Sequence, residues 1–542
     1  MAERRVSGIE ISEQGGADQA IERVPTGVAA FVGRTLKGPV NRPILVTSFA
    51  DFQQHFGGLW QPSTLSYAVE QFFENGGASA YIVRVVNGAR PPTLSLPANG
   101  AQLRLIALNP GSREYIRASV DYDAIGQNEP ERFNLVLQRV RTAGSELIED
   151  QEIFRRLSMN TQSSRFVTTA LLESRLARVA GPLPVHRPDR SLGPSGTLAI
   201  GYSHSNADGD DGGPLTDYDV IGSSSAGTGL FALKSAAGFN LLCIPPLARE
   251  QDVGMSALML AERFCADQHA MLVVDPPLSW TSPNVALETL RNWRLSSENA
   301  VMYFPRMLAF DRLRGRVETF GSAGAVAGMI ARGDETCPVW APAESEDAVL
   351  RPGLRPAFMV SDAERARLLQ AGVNTLLAVR PTGPHASSPR TLAGGNAGSA
   401  DWKYLSARRL ALFITASIER GTRWLLFEKG GPATWERAQA QVEAFLESLH
   451  RQGAFAGGEP EESYFAICDE RVNEPAAVAA GKAKVLFGFA TTRPCDFHAF
   501  LVTHQAGTSR CRAVSPSRFA TAPGRLEWEI ETAVLRGTSL SA

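Results

Sequence analysis

Three groups of residues have the types and spacing for chemistry. Asn206, Asp208, Asp210 and Asp217 stand at positions 1, 3, 5 and 12 of a calcium-binding loop. Such a loop needs Gly at its sixth position for a sharp turn, and here that residue is Asp211, with no helical pattern on either flank. The segment therefore reads as a solvated acidic loop. Cys495, His498, His504 and Cys511 are zinc-ligand types, but their spacing fits no zinc finger. FHAFLVTHQ alternates as a strand, with His498 and His504 on one face, so a half-buried strand is the better reading. GSSSAGTG at 222–229 is glycine-rich, yet no Lys-Ser or Lys-Thr follows to complete a phosphate-cradling loop. The acidic pairs Asp334-Glu335 and Asp469-Glu470 are sequence neighbours whose side chains diverge. No GxSxG or HExxH motif occurs. The expectation is a protein without catalytic residues, metal or cofactor.

The elements that would position such residues fall into blocks. Residues 1–25 carry Val6, Ile9, Ile11, Ile21 and Val24 around Gly15-Gly16, which is too little for a core and reads as an arm. Residues 26–90 read as two strands, a short helix FADFQQHF, a helix TLSYAVEQFFE and a buried strand AYIVRVV. Residues 91–220 alternate as antiparallel strands joined by Gly, Asn and Pro turns, a β-rich insertion. Residues 221–395 alternate FNLLCIPP, VGMSALMLAERFCADQ, AMLVVDPP, VALETLRNWRLS and NAVMYFPRM, a βαβαβ order that predicts a central mixed sheet with flanking helices. No GxGxxG follows its first strand; Cys243-Ile244-Pro245-Pro246 does, which argues against dinucleotide binding.

Residues 396–510 read as a C-terminal α+β domain: an apolar helix, a short strand at RWLLF, a turn, an amphipathic helix and further strands. Leu405, Leu410, Ile414 and Ile418 form one helical stripe; Trp435, Ala438, Val442, Phe445, Leu446 and Leu449 form another, both read as core. The polar face of the second helix, Glu436, Arg437, Gln441, Glu447 and Arg451, is left for a partner. Residues 511–542 form an extension in which Leu526, Trp528, Ile530 and Val534 alternate with Glu527, Glu529 and Glu531, one apolar face and one acidic. The fold class expected is thus α/β and α+β multidomain, with extended terminal arms.

At 542 residues the chain is too long for one core. A net charge of −2 argues against broad electrostatic binding of nucleic acid or an acidic membrane. No run of about 18 apolar residues predicts a membrane span, and the N-terminus lacks an apolar signal region. Six scattered cysteines without a CxxC predict reduced thiols and synthesis in a cytoplasm.

Several blocks together resemble the contractile tail sheath family. They are VAAFVGRTLKGPVNRPILVTSFADFQQHFGGL with SYAVEQFFENGGASAYIVRV, then GSAGAVAGMIARGD with VWAPA, then AGVNTL, RTLAG, residues 402–469 and ATTRPCDFHAFLV. Two features depart from the family pattern: Ser388-Pro389-Arg390-Thr391 replaces its usual Gly-Ala-Arg-Thr, and the chain continues past its usual final strand. That continuation leaves two candidates for the C-terminal arm, 496–505 and 526–535, of which the second is preferred.

The resemblance implies a structural subunit, not an enzyme, that polymerises helically around an inner tube. The sheath contracts from a metastable extended state and drives the tube through a target envelope. Its partners would be further copies of itself, the tube protein, and baseplate and terminator proteins, without nucleic acid or membrane insertion. The assembly would be made in the cytoplasm and belong to a phage tail, a tailocin or a released extracellular particle. The 396–510 domain and residues 26–90 would lie near the tube, with 91–220 outside. Arms carrying Val6, Ile9 and Ile11 at one end and Leu526, Trp528, Ile530 and Val534 at the other would complete neighbours' sheets. Competing readings are a type VI secretion-like sheath, an α/β enzyme, and a capsid or adhesin protein.

Overall fold

The computed structural model describes residues 20–193, 201–290, 292, 295–341, 350–376, 388–395 and 402–514. The chain divides into two compact units, one of residues 27–337 and 343–397, the other of residues 1–26, 338–342 and 398–542.

The first unit begins with β1 (Val28–Gly33), β2 (Ile44–Val46), helices α1 (Phe49–Phe56) and α2 (Thr64–Glu74), and β3 (Ser79–Arg84). The Ser48 hydroxyl accepts from the Asp51 amide to start α1, and Gly57 at φ +89° ends it in a left-handed conformation that favours glycine. Ser63 caps α2 in the same way, and Phe72 of α2 meets Phe31 of β1 edge-on at 5.6 Å.

The insertion follows as β4 (Thr93–Ala98), β5 (Ala101–Ala107), β6 (Ile116–Asp121), β7 (Arg132–Val140), β8 (Ile148–Ser158), helix α3 (Val167–Ala170), β9 (Ala177–Val179), β10 (Ser203–His204) and helix α4 (Asp217–Ile221). Its sheets run β4-β5-β9 and β10-β6-β7-β8, with every pair antiparallel. They enclose a core of their own that includes Leu94, Leu105, Phe133, Leu135 and Leu171. Leu215 and Val220 do not join it; they bury in the core of the central sheet, so residue 220 is not where the insertion ends.

The chain then supplies β11 (Leu241–Cys243), α5 (Met255–Asp267), β12 (Met271–Val274), α6 (Pro283–Leu290), β13 (Ala300–Phe304), β14 (Met307–Asp311), β15 (Arg316–Phe320), α7 (Ala323–Thr336), β16 (Arg355–Pro356), α8 (Asp362–Gln370) and β17 (Asn374–Thr375). The central sheet has the order β17-β13-β12-β11-β1-β3-β2. Only β2 runs antiparallel. Segments 26–90 and 221–395, separate in the sequence reading, are thus interleaved in one sheet, with β1 between β11 and β3. A parallel sheet needs both faces covered. Ala30, Val32, Leu242 and Leu272 bury on the side of Phe264 in α5, while Phe31 packs on α2 across the sheet. Small residues let α7 lie directly on α2: a Cβ on Gly324 would come 2.2 Å from the Ala68 carbonyl oxygen, and one on Gly328 would come 2.4 Å from that of Phe72.

In the second unit, α9 (Leu405–Gly421) and α10 (Pro432–His450) pack on a sheet of β18 (Tyr464–Ile467), β19 (Lys482–Ala490), β20 (Phe497–Gln505) and β21 (Thr508–Val514). The strands follow in order, all antiparallel. Both helical stripes read from the sequence are buried here: Leu405, Leu410, Ile414 and Ile418 on α9, and all six positions on α10.

Four expectations change. RWLLF is not a strand: Arg423–Leu426 is a 3-10 turn whose Leu425 is buried in the helix-packed core. Residues 20–25 are not free arm, because Ile21 and Val24 join that same core and the Val24 amide donates to Ser417 Oγ. Gly421 makes room for Ile21, whose side chain would lie 2.8 Å from a Cβ there. Segment 496–505, one candidate for the C-terminal arm, is the inner strand β20, paired on both sides. The boundary at residue 511 falls inside β21.

Candidate functional site

The sequence candidates for chemistry find local partners. Asp208 accepts from the Thr93 amide at 2.8 Å and the Thr93 hydroxyl at 2.5 Å. Burial pushes its carboxyl up, but those hydrogen bonds outweigh burial and hold it below the usual range. Asp210 accepts from the Gly212 amide, Asp211 from the Ser112 amide and hydroxyl, and Asp217 from the Gly254 amide. The acidic loop is a clasp that spends its carboxylates on protein donors. Ser223 N donates to Thr228 Oγ1 and Thr228 N to the Ser223 carbonyl, which closes GSSSAGTG into a loop, while Gly229 N donates to Asn41 Oδ1.

His498 stacks on Trp402 at 4.1 Å between ring centroids. His504, six residues further along the same strand and thus about 20 Å away, is buried with Nε2 2.8 Å from Thr422 Oγ1 and Nδ1 2.7 Å from Ser509 Oγ. Thr422 already donates to the Ile418 carbonyl, so its oxygen accepts from the ring. This places the imidazole proton on Nε2. Burial lowers the His504 pKa to about 4. Among the described residues, no three His, Cys, Asp or Glu side chains are grouped to hold a metal.

The carboxyl ends of the central strands are where an open α/β sheet would bind a ligand. There Arg249 pairs with Asp311 at 2.5 Å, and its guanidinium lies against both of the contacting rings of Tyr67 and Phe320, 4.7 and 4.9 Å from their centroids. Tyr67 donates to Asp311 at 3.0 Å; burial and that carboxylate push the phenol up to about 12. Asp275 accepts from the Ala323 amide at 2.8 Å, and Arg306 donates to the Pro276 carbonyl and pairs with Asp252. The cleft among Tyr67, Arg249, Asp275, Arg306 and Gly321 measures about 20 Å³, room for one water. This charged cluster ties α2 to the β14–β15 hairpin and the loop after β11.

Interaction residues divide differently. Of the five polar positions on α10, Glu436 and Arg451 are exposed. Arg437 stacks on Trp424 at 4.4 Å and stands 2.5 Å from Glu428, outside hydrogen-bonding geometry. Gln441 accepts from the Trp424 indole at 3.0 Å. Glu447 accepts from the Tyr464 hydroxyl at 2.5 Å and pairs with Arg451 at 2.8 Å. Arg437, Gln441, Glu447 and Arg451 are therefore all engaged within the unit, and Glu436 and Arg451 are the two exposed positions of the expected face. Val6, Ile9, Ile11, Leu526, Trp528, Ile530 and Val534 lie outside the described residues.

One feature escaped the sequence reading. Strand register sets Lys484, Thr503 and Arg510 side by side across β19, β20 and β21, with Lys482 and Arg512 two residues away on the same face. The opposite face carries His504, Val502 and Phe500 into the helix-packed core, so these cations face outward. The signal was present as KAK at 482–484 and RCR at 510–512, cations at the period of a strand.

No family model matches the chain, and no curated protein matches it in sequence. Solved structures do. The sheath of an extracellular contractile injection system, PVC, in its contracted state is 16% identical at a TM-score of 0.51, covering 92% of this chain and 97% of that one. The sheath tail protein Lin1278 from Listeria innocua is 11% identical at a TM-score of 0.56, again covering 92% and 97%. The chain has the fold of sheath proteins over nearly its whole length.

Proposed function

We propose that this chain is the structural subunit of a contractile sheath, polymerising helically around an inner tube and contracting from a metastable extended state to drive that tube through a target envelope. The supporting observation is the extent of the likeness: it spans 92% of the chain and takes in 97% of both sheath proteins. The partners are other copies of the chain, the tube protein, and baseplate and terminator proteins. The particle is a phage tail or a released extracellular machine.

Terminal arms link the copies. Val6, Ile9 and Ile11 supply the apolar positions of one arm, and Leu526, Trp528, Ile530 and Val534 those of the other. Added to a neighbour's sheet, such strands give main-chain hydrogen bonds for affinity and alternating side chains for register. A contact that does not close on itself extends into a helix. Contraction needs no nucleotide if each subunit gains on the order of a few kcal/mol of burial, about 100 Å² of apolar surface at 25 cal/mol per Å². Glu436 and Arg451 are the proposed tube contacts, with Arg451 held by its pairing with Glu447.

Negative-stain electron microscopy of the purified chain, alone and with its tube partner, tests the reading. Hollow, cross-striated tubes are expected. Dispersed monomers or small closed oligomers under both conditions would refute it and favour an accessory or enzymatic role.

A further inference from the structure

The β14–β15 hairpin has two unlike faces. Met307 and Phe320, paired across it, are buried, and Phe320 packs on Tyr67 of α2 with ring centroids 5.0 Å apart. The other face carries Phe310 directly opposite Val317, and Leu313 stands in the turn between the strands. These three side chains are 61%, 50% and 47% exposed. The turn that presents them is held in place. The Gly315 amide donates to the Asp311 carbonyl at 2.8 Å, and Arg312 lies 3.3 and 3.2 Å from Glu70 and Glu74 of α2. Apolar groups on a fixed support lose little freedom when they bind.

The size of the patch constrains its use. Phe310, Leu313 and Val317 offer on the order of 300 Å², the scale of an interaction site, but far short of roughly 800 Å² per partner in a stand-alone complex. Such a patch binds stably only beside other contacts, which copies in a polymer supply to one another.

A second exposed apolar pair lies on the same unit. Met259 and Leu260 of α5 are 50% and 40% exposed. The hairpin sits on α2, whereas α5 covers the opposite side of the central sheet. Matching patches on opposite sides of one body make a head-to-tail contact, which extends instead of closing.

We propose that the Phe310–Val317 face of the hairpin docks on Met259 and Leu260 of α5 in a second copy of this chain. This rests on the sheath reading and adds to it an apolar contact between globular units, separate from the terminal arms.

Full-length F310D/V317D and M259D/L260D test it, together with photo-cross-linking from Phe310→benzoylphenylalanine. The changed side chains are exposed, so circular dichroism and thermal melts should match the parent. Each double variant should form no tubes, or need at least about tenfold more protein. In assembled tubes the cross-linker at position 310 should join two chains, and mass spectrometry should find Met259 or Leu260 in the linked peptide. Should a double variant lose its thermal transition, F310A/V317A and M259A/L260A repeat the comparison with the same expectation.

Normal tubes from F310D/V317D would overturn this contact and leave the sheath reading standing. A cross-link to the tube protein, within one chain at every protein concentration, or to a part of the second copy other than α5 would also overturn it. If the parent chain forms no tubes, the sheath reading fails and sedimentation decides the contact. Parent association that F310D/V317D abolishes would support it, and a parent that stays monomeric at every concentration would refute it.

Discussion

The charged cluster of the first unit and the cation face of the second make opposite use of ionic side chains. Arg249, Asp311, Tyr67, Asp275 and Arg306 are turned inward onto one another. Lys482, Lys484, Arg510 and Arg512 are turned outward with no acidic partner among the described residues. The sheets carry the same contrast. The central sheet is covered on both faces, whereas the C-terminal sheet ends in a seven-residue strand paired on one side only among the described residues. Internal satisfaction stabilises the folded unit; on the proposed sheath reading, exposed edge and charge are where a neighbouring copy would bind.

The largest effect is expected at the termini. Removing residues 1–19 or 524–542 should leave folded, soluble protomers with unchanged thermal unfolding and no linked tubes, read by microscopy and sedimentation. Normal tubes from both truncations would mean that the open edge is not used.

Next come changes to the closed region, which should cost stability and not assembly chemistry. Gly328→Val places atoms against the Phe72 carbonyl and should destabilise the first unit by about 3 kcal/mol or more. Asp311→Ala strands the Arg249 guanidinium in a buried site and should cost about 3–5 kcal/mol. Denaturant midpoints measure both. A loss below about 1 kcal/mol for Asp311→Ala would mean that the cluster is better solvated than its packing indicates.

The two units should also respond to pH with opposite sign. Burial and the neighbouring Glu74 raise Glu70 in the first unit to about 7, even though Arg312 stands 3.3 Å away, outside hydrogen-bonding geometry. Its carboxyl is favoured protonated, so its contribution is full below about 4.5 and is lost as pH rises through 7. His504 in the second unit is held neutral to about 4. Its contribution is full above about 6.5 and is lost as pH falls through 4. Each effect is on the order of a few kcal/mol. Glu70→Gln should flatten the first dependence and His504→Gln the second, as followed by hydrogen exchange in each unit. A shared slope in both units would contradict the assignment.

The smallest effect is expected from Glu436→Ala with Arg451→Ala, within about 0.5 kcal/mol on stability. A binding assay with the tube protein should nonetheless show weakened association. Unchanged association would remove these two residues from the tube contact.

Much of this was legible in the chain because the controlling interactions are local. Ser48 and Gly57 mark both ends of α1. The α10 stripe needed only the helical repeat, and the acidic loop was set apart from calcium sites by Asp211 at its sixth position together with the lack of flanking helical pattern. Period and capping act over a few residues, and sequence displays them directly. What only the tertiary structure decided depends on partners distant in the chain. RWLLF has the composition of a strand, but it lies between two helix ends and is drawn into a turn by burial of Leu425. Ile21 looks like arm until Gly421, four hundred residues later, leaves it a socket. The cations of β19 and β21 become one surface only when β20 sets their register. Strand pairing and burial are long-range choices, so sequence fixes which residues alternate and only the fold decides which of them stand together.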